Sequence, residues 1–451
     1  VLASVRDPEG SPYQVQCQVD LIGALDEEVL AEAWRRLFLR HPAFRSFFAW
    51  EGREEPLQVV RADAPLPWAS LDWSGTDSRD QEGLWTGLRE RDAETPFDLA
   101  QAPIHRLTIV KLGPERHRLL WSVHHALADG WSGLAVFGEM VEEYEALQRG
   151  DALERPAPPS YGRFVSWLAA RDREAAQSYW TRQLQGLRDA SPLPAARSAR
   201  PGPRRATVDL DLGPELSEAL ARAATRLRVT PYTLLLGAWS LVLDRHSPEQ
   251  DSIAFATTVT ERPAEIPDVS TAVGMYLNTV PIRIPPPGSG RVADWLEAIQ
   301  RCSMEARHHG VSGLGEITRW AELRPGGTLA RSLVVFESFP EAVRTLPRGR
   351  TIRLEDIRIA APSDLPLTLL GHPGDSMRLE LAYDTALYSR PAARRLLRLT
   401  GQALRALSDP DARTLDSLDV LGPEERRLLS QEWSRSPVPE PAAPDVLDAF
   451  G

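Results

Sequence analysis

Two adjacent histidines are candidates for proton transfer, and an aspartate and a glycine follow them. They lie in the segment WSVHHALADGWSG, residues 121–133, as His124, His125, Asp129 and Gly130. A histidine with a pKa near its reference value of about 6.5 can accept and return a proton at neutral pH. Consecutive side chains of a strand point to opposite faces, so only one of the two histidines can face a given cleft. One is therefore predicted to be structural, and the other, where the strand ends before a loop and a helix, suits a base.

Asp129 stands among apolar residues, which predicts a buried carboxylate. Because a buried carboxylate is costly unless it is paired, we predict an arginine partner from a distant segment. Gly130 is predicted to allow a turn that a side chain would block and to let the backbone approach the histidine. Its N–H group, near the start of a predicted helix, is a candidate donor to a developing oxyanion.

Neighbouring histidines on a strand also have a simpler interpretation, as core residues with satisfied ring nitrogens. A metal site is not indicated, because two adjacent histidines cannot readily bind one ion and no third histidine or cysteine stands at ligand spacing. A serine nucleophile is not indicated either, since a Gly-x-Ser-x-Gly elbow is absent. A second pair, His308 and His309, is assigned no function.

The spacing of apolar residues predicts a mixed α/β (α+β) architecture with two lobes. Predicted strands span residues 14–22, 44–50, 104–110, 117–125, 206–212, 252–259, 277–284, 332–336, 353–360, 365–370 and 377–383. Predicted helices span residues 25–41, 132–149, 161–185, 216–227, 231–245 and 390–409. Ser132 is a candidate N-cap for the helix that follows the histidines. A Pro- and Arg-rich stretch at 191–205 is typical of a linker.

Composition argues against several classes of protein. The chain has 451 residues and a net charge of −11 with no Lys/Arg-rich run, which disfavours nucleic-acid binding. It does not open on a signal segment, and no apolar run approaches the roughly 18 residues of a membrane span, so a soluble cytoplasmic protein is predicted. Cys17 and Cys302 lie far apart and predict incidental buried thiols.

Residues 124–130 resemble the His-His-x-x-x-Asp-Gly signature of nonribosomal peptide synthetase condensation domains. Chloramphenicol acetyltransferase-like and other acyltransferases share this signature, so alone it indicates a superfamily. Four further stretches are similar to motifs of the condensation family and occur in the family's order. They are residues 40–48 with Pro42 in place of a glutamate, 161–167 with Arg163 in place of an aspartate, 273–283 and 335–340.

The resemblance implies two chloramphenicol acetyltransferase-like lobes in a V-shaped pseudo-dimer with a tunnel between them. It implies an N-terminal lobe at residues 1–165, which carries the histidine signature, and a C-terminal lobe at 166–423. Residues 424–451 are implied to be a linker toward an adenylation domain, because the tail is similar to that linker. The first motif of the family would precede Val1, which implies a trimmed N-terminal edge.

The resemblance also implies roles for single residues. The second histidine of the signature, His125, is implied as the catalytic residue, which leaves His124 as scaffold. The signature aspartate would pair with the arginine that ends the Asn-Thr-x-Pro-x-Arg motif, here Asp129 with Arg283. Substrate-binding positions are implied for Ser132, Asn278 and Ser338.

The implied reaction is amide formation between two substrates held as thioesters on the phosphopantetheine arms of partner proteins. These partners are an upstream and a downstream peptidyl carrier protein, and an adenylation domain adjoins the chain. No tightly bound cofactor, metal, nucleic acid or membrane is implied. The stretches DPEGSPYQVQ and ITRW…SLVVFESFP look most like the subtype that joins a D-configured donor to an L-amino acid or glycine.

Other members of the superfamily are disfavoured by motifs that are not found. An epimerisation domain would carry a Glu-Gly-His-Gly-Arg-type motif, and a heterocyclisation domain would have Asp-x-x-x-x-Asp in place of the histidine signature. A coenzyme A-dependent acyltransferase would carry Asp-Phe-Gly-Trp-Gly late in the chain. A non-catalytic domain of this fold that recruits a partner protein is the remaining alternative.

Overall fold

The computed structural model describes residues 13–53, 56–193, 205–247, 250–337, 349–361, 363–427 and 430. Its strands are β1 Gln14–Ile22, β2 Ser46–Ala49, β3 Leu57–Val60, β4 Trp68–Asp72, β5 His105–Gly113, β6 Arg116–His124, β7 Arg205–Asp211, β8 Ile253–Thr260, β9 Leu277–Ile284, β10 Ser332–Phe336, β11 Arg353–Ala360, β12 Leu367–His372 and β13 Arg378–Asp384. Its α-helices are α1 Glu27–Arg40, α2 Ser78–Ala93, α3 Gly130–Arg149, α4 Tyr161–Ala169, α5 Arg173–Gln183, α6 Gly213–Leu227, α7 Pro231–His246, α8 Val292–His308, α9 Leu314–Trp320, α10 Arg390–Ser408 and α11 Gly422–Arg427.

The first sheet has the strand order β11-β1-β6-β5-β4 and carries the histidine pair at the end of β6. Its neighbours are antiparallel except β4 and β5, which are parallel. Helix α1 begins where the Asp26 carboxylate accepts the N–H groups of Glu28 and Val29. Its buried side chains recur at the spacing of one helical face. They are Leu30, Ala33, Trp34, Leu37 and Phe38.

The two faces of β6 pack against different elements, as alternation along a strand requires. Three alternate residues lie in the main core of the first sheet, together with side chains of α1 and α3. They are Leu119, Trp121 and Val123. On the opposite face Leu120 packs against Trp85 of α2, and Ser122 donates a hydrogen bond to Asp92 of the same helix. Helix α2 therefore covers the face of β6 to which His124 belongs.

The second sheet has the strand order β7-β13-β12-β10-β8-β9. Strand β10 runs parallel to both β12 and β8, and the outer pairs are antiparallel. Helix α7 begins at Pro231, after the Thr230 side chain caps it. The indole of Trp239 in α7 is fully buried and donates to Ser332 Oγ of β10 at 3.0 Å. This contact joins the helical layer to the centre of the sheet.

Strand β11 comes from the second half of the chain but pairs with β1 in the first sheet. The chain then returns through Asp364 to β12, which lies inside the second sheet. The two sheets are therefore not built from consecutive chain segments. The domain boundaries at 165/166 and 423/424 stay predictions, and residues 431–451 of the predicted linker lie outside the described residues.

The mixed α/β class is confirmed, although some predicted elements differ in their ends. Helix α3 begins at Gly130 with Asp129 as its N-cap, so Ser132 is not the cap. The helix predicted at 161–185 is two helices, because the Asp172 carboxylate caps a new one after a break. In the part of the chain that the structure describes, no helix combines the length and apolar character needed to cross a membrane.

His105, at the start of β5, is buried with its ring close to those of Phe38 and Phe44. Burial lowers its pKa from 6.5 to about 3. Below pH 6.5 the His105 ring binds a proton in the unfolded chain but not in the folded chain. The free energy of unfolding therefore falls from pH 6.5 toward pH 3, by up to about 1.4 kcal/mol per pH unit. We expect His105→Leu to reduce the slope of the free energy of unfolding against pH, measured by urea denaturation. His308→Ala, at an exposed position, is the control, and equal slopes for wild type and His105→Leu would contradict the prediction.

Candidate active site

The histidine signature lies between the end of β6 and the start of α3. The backbone N–H of His125 donates to the Tyr13 carbonyl at 2.7 Å. The ring Nδ1 of His125 lies 3.0 Å from the Ala128 carbonyl oxygen, which can only accept, so Nδ1 carries the proton. The neutral ring therefore has its lone pair on Nε2. The residue is only partly buried at this edge of the sheet.

His124 has a different environment, in agreement with the alternation along β6. It is 5% exposed, and its Nδ1 accepts the Ala126 N–H at 3.2 Å. Its ring lies beside that of Tyr13, with 6.3 Å between the ring centroids. These contacts support the predicted role of His124 as scaffold.

Burial lowers the pKa of both histidines. The pKa of His124 falls from 6.5 to about 4, and the neighbouring imidazole of His125 adds to this shift. Burial also holds the pKa of His125 below its usual value, against the opposing effects of the Ala128 carbonyl and of Asp129. Both rings are therefore neutral at pH 7, the state in which Nε2 of His125 can accept a proton.

Asp129 is a buried carboxylate with four hydrogen-bonding groups around it. Its Oδ1 accepts the N–H and the hydroxyl of Ser132, each at 2.7 Å. Its Oδ2 accepts the backbone N–H of Tyr276 at 3.2 Å. Arg262 donates through Nη2 to both carboxylate oxygens, at 3.0 and 3.2 Å. The predicted burial and the predicted arginine from a distant segment are thus confirmed.

The partner of Asp129 is Arg262, so the implied pairing with Arg283 is wrong. Arg283 instead donates to Ser252 Oγ at 2.9 Å and to carbonyl oxygens at and just after the end of α5, at 3.2 and 2.7 Å. Asp129 contacts the chain at Tyr276, just before β9. Arg283 lies near the far end of that strand, about 23 Å from Tyr276 at a rise of about 3.3 Å per residue.

The register of β8 and β9 explains why Arg262, and not Arg283, meets Asp129. Thr260 pairs with Leu277 at the ends of these antiparallel strands. Continuing the register by two residues on each side sets Arg262 opposite Met275, next to the residue that contacts Asp129.

The guanidinium of Arg262 lies between two aromatic rings. Its central carbon is 4.9 Å from the ring centroid of Trp131 and 4.3 Å from that of Tyr276. Its Nη1 donates to the carbonyls of Val269 and Ala272, at 2.7 and 2.9 Å. The side chain is 5% exposed, so a carboxylate, two carbonyls and two π faces replace most of its hydration.

Gly274 lies in the segment just before β9 and contacts the start of α3. Its carbonyl accepts the Asp129 N–H at 3.2 Å, and its N–H donates to the Ser132 hydroxyl oxygen at 3.2 Å. A Cβ atom at this position would lie 2.5 Å from the ring of Tyr161, which leaves no room for a side chain. The Tyr161 hydroxyl donates to the Met275 carbonyl at 2.7 Å. Helix α4 therefore holds this segment against the start of α3.

Gly130 is the first residue of α3, and its N–H group makes no hydrogen bond to any residue that the structure describes. The first N–H groups of a helix have no partner within the helix and form the positive end of its dipole. Among the described residues, the Gly130 N–H therefore has no competing acceptor. Gly130 does not adopt a positive φ, so its backbone conformation does not itself demand glycine.

Comparison with known proteins identifies the family. The sequence profile of the family described as "Condensation domain" matches residues 2–430. The chain belongs to the condensation domain family. A linear gramicidin synthase protein of Brevibacillus parabrevis is 33% identical to this condensation domain over 429 residues, which are 93% of this chain and 6% of that protein. Chondramide synthase of Chondromyces crocatus is also 33% identical, over 94% of this chain and 11% of its own length. The domain therefore corresponds to a small part of each of these synthases.

Solved structures show the same fold. The first condensation domain of the calcium-dependent antibiotic synthetase, in complex with a substrate analogue, is 22% identical and matches with a TM-score of 0.77 over 92% of this chain and 96% of that one. The X-domain and OxyB complex from teicoplanin biosynthesis contains a match at 22% identity, with a TM-score of 0.75 over 92% and 93% of the two chains. The predicted chloramphenicol acetyltransferase-like fold is confirmed.

Two of the predicted substrate-binding residues of this condensation domain make hydrogen bonds within the fold. Ser132 is fully buried, and its hydroxyl is engaged by Asp129 and by the segment that covers α3. Asn278 donates through Nδ2 to two carbonyls of the loop after α8, at 2.6 and 2.9 Å. The substrate-binding roles of Ser132 and Asn278 stay predictions, and Ser338 lies outside the described residues. Within the described ranges, no group of three or more His, Cys, Asp or Glu side chains could hold a metal ion.

Proposed function

We propose that this condensation domain forms an amide bond between two carrier-bound substrates, with His125 as the catalytic residue. The observation that carries the proposal is the tautomer of His125. The Ala128 carbonyl holds the ring proton on Nδ1, which leaves Nε2 as a proton acceptor beside the end of β6. The nucleophile is the amine of a downstream aminoacyl thioester, and the electrophile is the carbonyl of an upstream acyl or peptidyl thioester.

The reaction needs one group that first accepts a proton and then donates it. The amine nitrogen attacks the thioester carbonyl carbon, and a tetrahedral intermediate with a negatively charged oxygen forms. Nε2 of His125 takes a proton from that nitrogen, the carbon–sulfur bond breaks, and the departing thiolate of the upstream arm receives the proton. An α-amino group has a pKa of about 7.7–8.0, so a histidine is a strong enough base for this transfer.

Two further contributions support the step. The Gly130 N–H, at the positive end of the α3 dipole, donates to the developing oxyanion. A tunnel between the lobes would hold the two thioesters together, and such positioning can supply about 7–11 kcal/mol of the barrier reduction.

The partners in this proposal are an upstream and a downstream peptidyl carrier protein, with an adjoining adenylation domain. Their phosphopantetheine arms enter as parts of the substrates. The curated relatives support this setting, because each is a large synthase protein of which a stretch like this chain is a small part. We also propose the subtype that accepts a D-configured donor, and a cytoplasmic location stays a prediction.

The test is a condensation assay with the purified protein. An upstream carrier is loaded with a D- or an L-configured aminoacyl donor, and a downstream carrier is loaded with an L-aminoacyl group. Intact-protein mass spectrometry of the downstream carrier should show the added donor mass, and transfer should be faster with the D donor. An N-acetylated acceptor, which lacks the nucleophilic amine, is the matched control. No transfer above this control with either donor would contradict the function, and transfer from the L donor alone would contradict only the subtype.

A recruitment domain is the second candidate, since the fold likeness to the X-domain that was solved with OxyB is nearly the same as to the first condensation domain of the calcium-dependent antibiotic synthetase. Fold similarity therefore does not separate the two functions. In the assay above, a recruitment domain would bind a partner protein but would leave the acceptor carrier unmodified.

A further inference from the structure

Tyr13 contacts both histidines of the signature. Its backbone carbonyl accepts the His125 N–H at 2.7 Å, and its ring lies beside that of His124, with the ring planes at 52°. Its hydroxyl donates to the Asp364 carboxylate. Burial and the Asp364 carboxylate raise the pKa of Tyr13, so the phenol is a protonated donor throughout the neutral range.

Asp364 belongs to the connection from β11 in the first sheet to β12 in the second. The residues that follow it are anchored to strands of the second sheet. The Leu365 carbonyl accepts from Arg205 at 3.0 Å, and the Pro366 carbonyl accepts the Asp384 N–H at 2.9 Å. The phenol of Tyr13 thus joins the start of β1 to a segment that the second sheet holds in place.

Two contacts with later parts of the chain therefore hold the segments on either side of His125. Asp129 and Arg262 form the first, which acts through the start of α3. Tyr13 and Asp364 form the second, which acts on the His125 backbone itself. The second contact lies outside the histidine signature and joins residues 351 positions apart.

We propose that Tyr13 and Asp364 are positioning residues for the condensation reaction, an inference that rests on the proposed function. The regular pairing of β1 with β6 begins only at Gln14, which lies opposite His124. Beyond that pair, the Tyr13 carbonyl is the acceptor that fixes the His125 backbone, and the phenol fixes Tyr13. Without the phenol, His125 keeps its tautomer, but Nε2 is no longer held in place for the attacking amine nitrogen.

The test is Tyr13→Phe, which keeps the backbone acceptor and the ring contact and removes only the hydroxyl. We expect kcat for condensation to fall about tenfold, because displacements of about 1 Å can cost up to about a hundredfold. The KM for each loaded carrier should change less than about twofold, since the variant leaves substrate binding intact. Asp364→Ala should reproduce this effect, and the double variant should be no slower than the slower single variant.

Rescue separates positioning from a general structural role. Asp364→Asn retains an oxygen that accepts the Tyr13 hydroxyl, so its kcat should stay within about twofold of wild type. Tyr144→Phe is the matched control, because it also removes a phenol that is hydrogen-bonded across elements, there to the Asp26 N–H at 3.0 Å. Its kcat should equal that of wild type. A midpoint of thermal unfolding is recorded for each variant.

The outcomes distinguish this inference from the proposed function. No condensation by wild type would contradict the proposed function itself, and a Tyr144→Phe variant as slow as Tyr13→Phe would overturn the positioning role. Active wild type with an equally active Tyr13→Phe would overturn the positioning role alone. The role would also be overturned if Asp364→Asn were as slow as Asp364→Ala, or if kcat fell only in proportion to the folded fraction.

Discussion

Replacing His125 with alanine is expected to lower kcat for condensation by about 10²–10⁴-fold, the usual contribution of a positioned acid–base group. The KM for each loaded carrier should change little, because the histidine acts on the amine proton and does not bind the carriers. Single-turnover transfer to the downstream carrier measures this rate directly. The variant should fold, since the residue is only partly buried and the one hydrogen bond described for its ring is to the Ala128 carbonyl.

His308→Ala is the matched control for His125, because it removes an exposed histidine at the end of α8. Wild-type transfer by His125→Ala would contradict the catalytic assignment. The pH profile gives a second measurement on the same protein. Protonation of the acceptor amine, with a pKa of about 7.7–8.0, should slow transfer in both proteins. Burial lowers the pKa of His125, so wild type should show a further acidic limb below pH 6.5, where the ring is protonated. This acidic limb should be missing from the residual rate of His125→Ala.

Sequence alone was sufficient for features that depend on near neighbours. Alternation along β6 separates the environments of His124 and His125, because it follows from the geometry of a single strand. The apolar surroundings of Asp129 predict burial, and the cost of a buried charge then requires a cation. Both inferences need no knowledge of distant contacts.

The identity of that cation required the structure. Arg283 lies in the predicted strand 277–284, whereas Arg262 follows the predicted strand 252–259, and only the observed register of these strands shows which end meets Asp129. Ser132 is a similar case, because a serine near a helix start fits a cap or a substrate contact equally well. In the structure Asp129 is the N-cap, and the buried Ser132 hydroxyl donates a hydrogen bond to its carboxylate.

Other features depend on contacts between segments hundreds of residues apart. Strand β11 is correctly placed along the chain, but nothing in its own residues indicates that it pairs with β1 of the other sheet. Helix α2 escapes prediction because Gln81 and Trp85 are its only buried residues, too few to show a helical period. The hydrogen bond between Tyr13, just before β1, and Asp364, after β11, joins segments 351 positions apart and so could not be predicted.

Asp129→Ala is expected to destabilise the domain by about 3–5 kcal/mol, the usual cost of removing one partner of a buried ion pair. The substitution leaves the Arg262 guanidinium buried without its carboxylate and removes the N-cap of α3. Urea denaturation measures the free energy of unfolding. Asp129→Asn keeps an acceptor for the Ser132 N–H and loses only the charge, so its stability should fall between those of wild type and Asp129→Ala.

A double-mutant cycle decides which arginine Asp129 needs. If Arg262 is the partner, Asp129→Asn and Arg262→Met should be strongly non-additive, because the second change removes the charge that the first leaves unpaired. Arg283→Met is the matched control, since the partners of the Arg283 side chain among the described residues are a hydroxyl and carbonyl oxygens. Its effect should add to that of Asp129→Asn within about 0.5 kcal/mol. Additivity with Arg262 and coupling with Arg283 would restore the pairing that the family resemblance implied and would contradict the contacts described above. Coupling with Arg262 alone would show that the N-cap of α3 depends on a charge from the loop after β8. The position of the segment that joins His125 to α3 would then depend on the same charge.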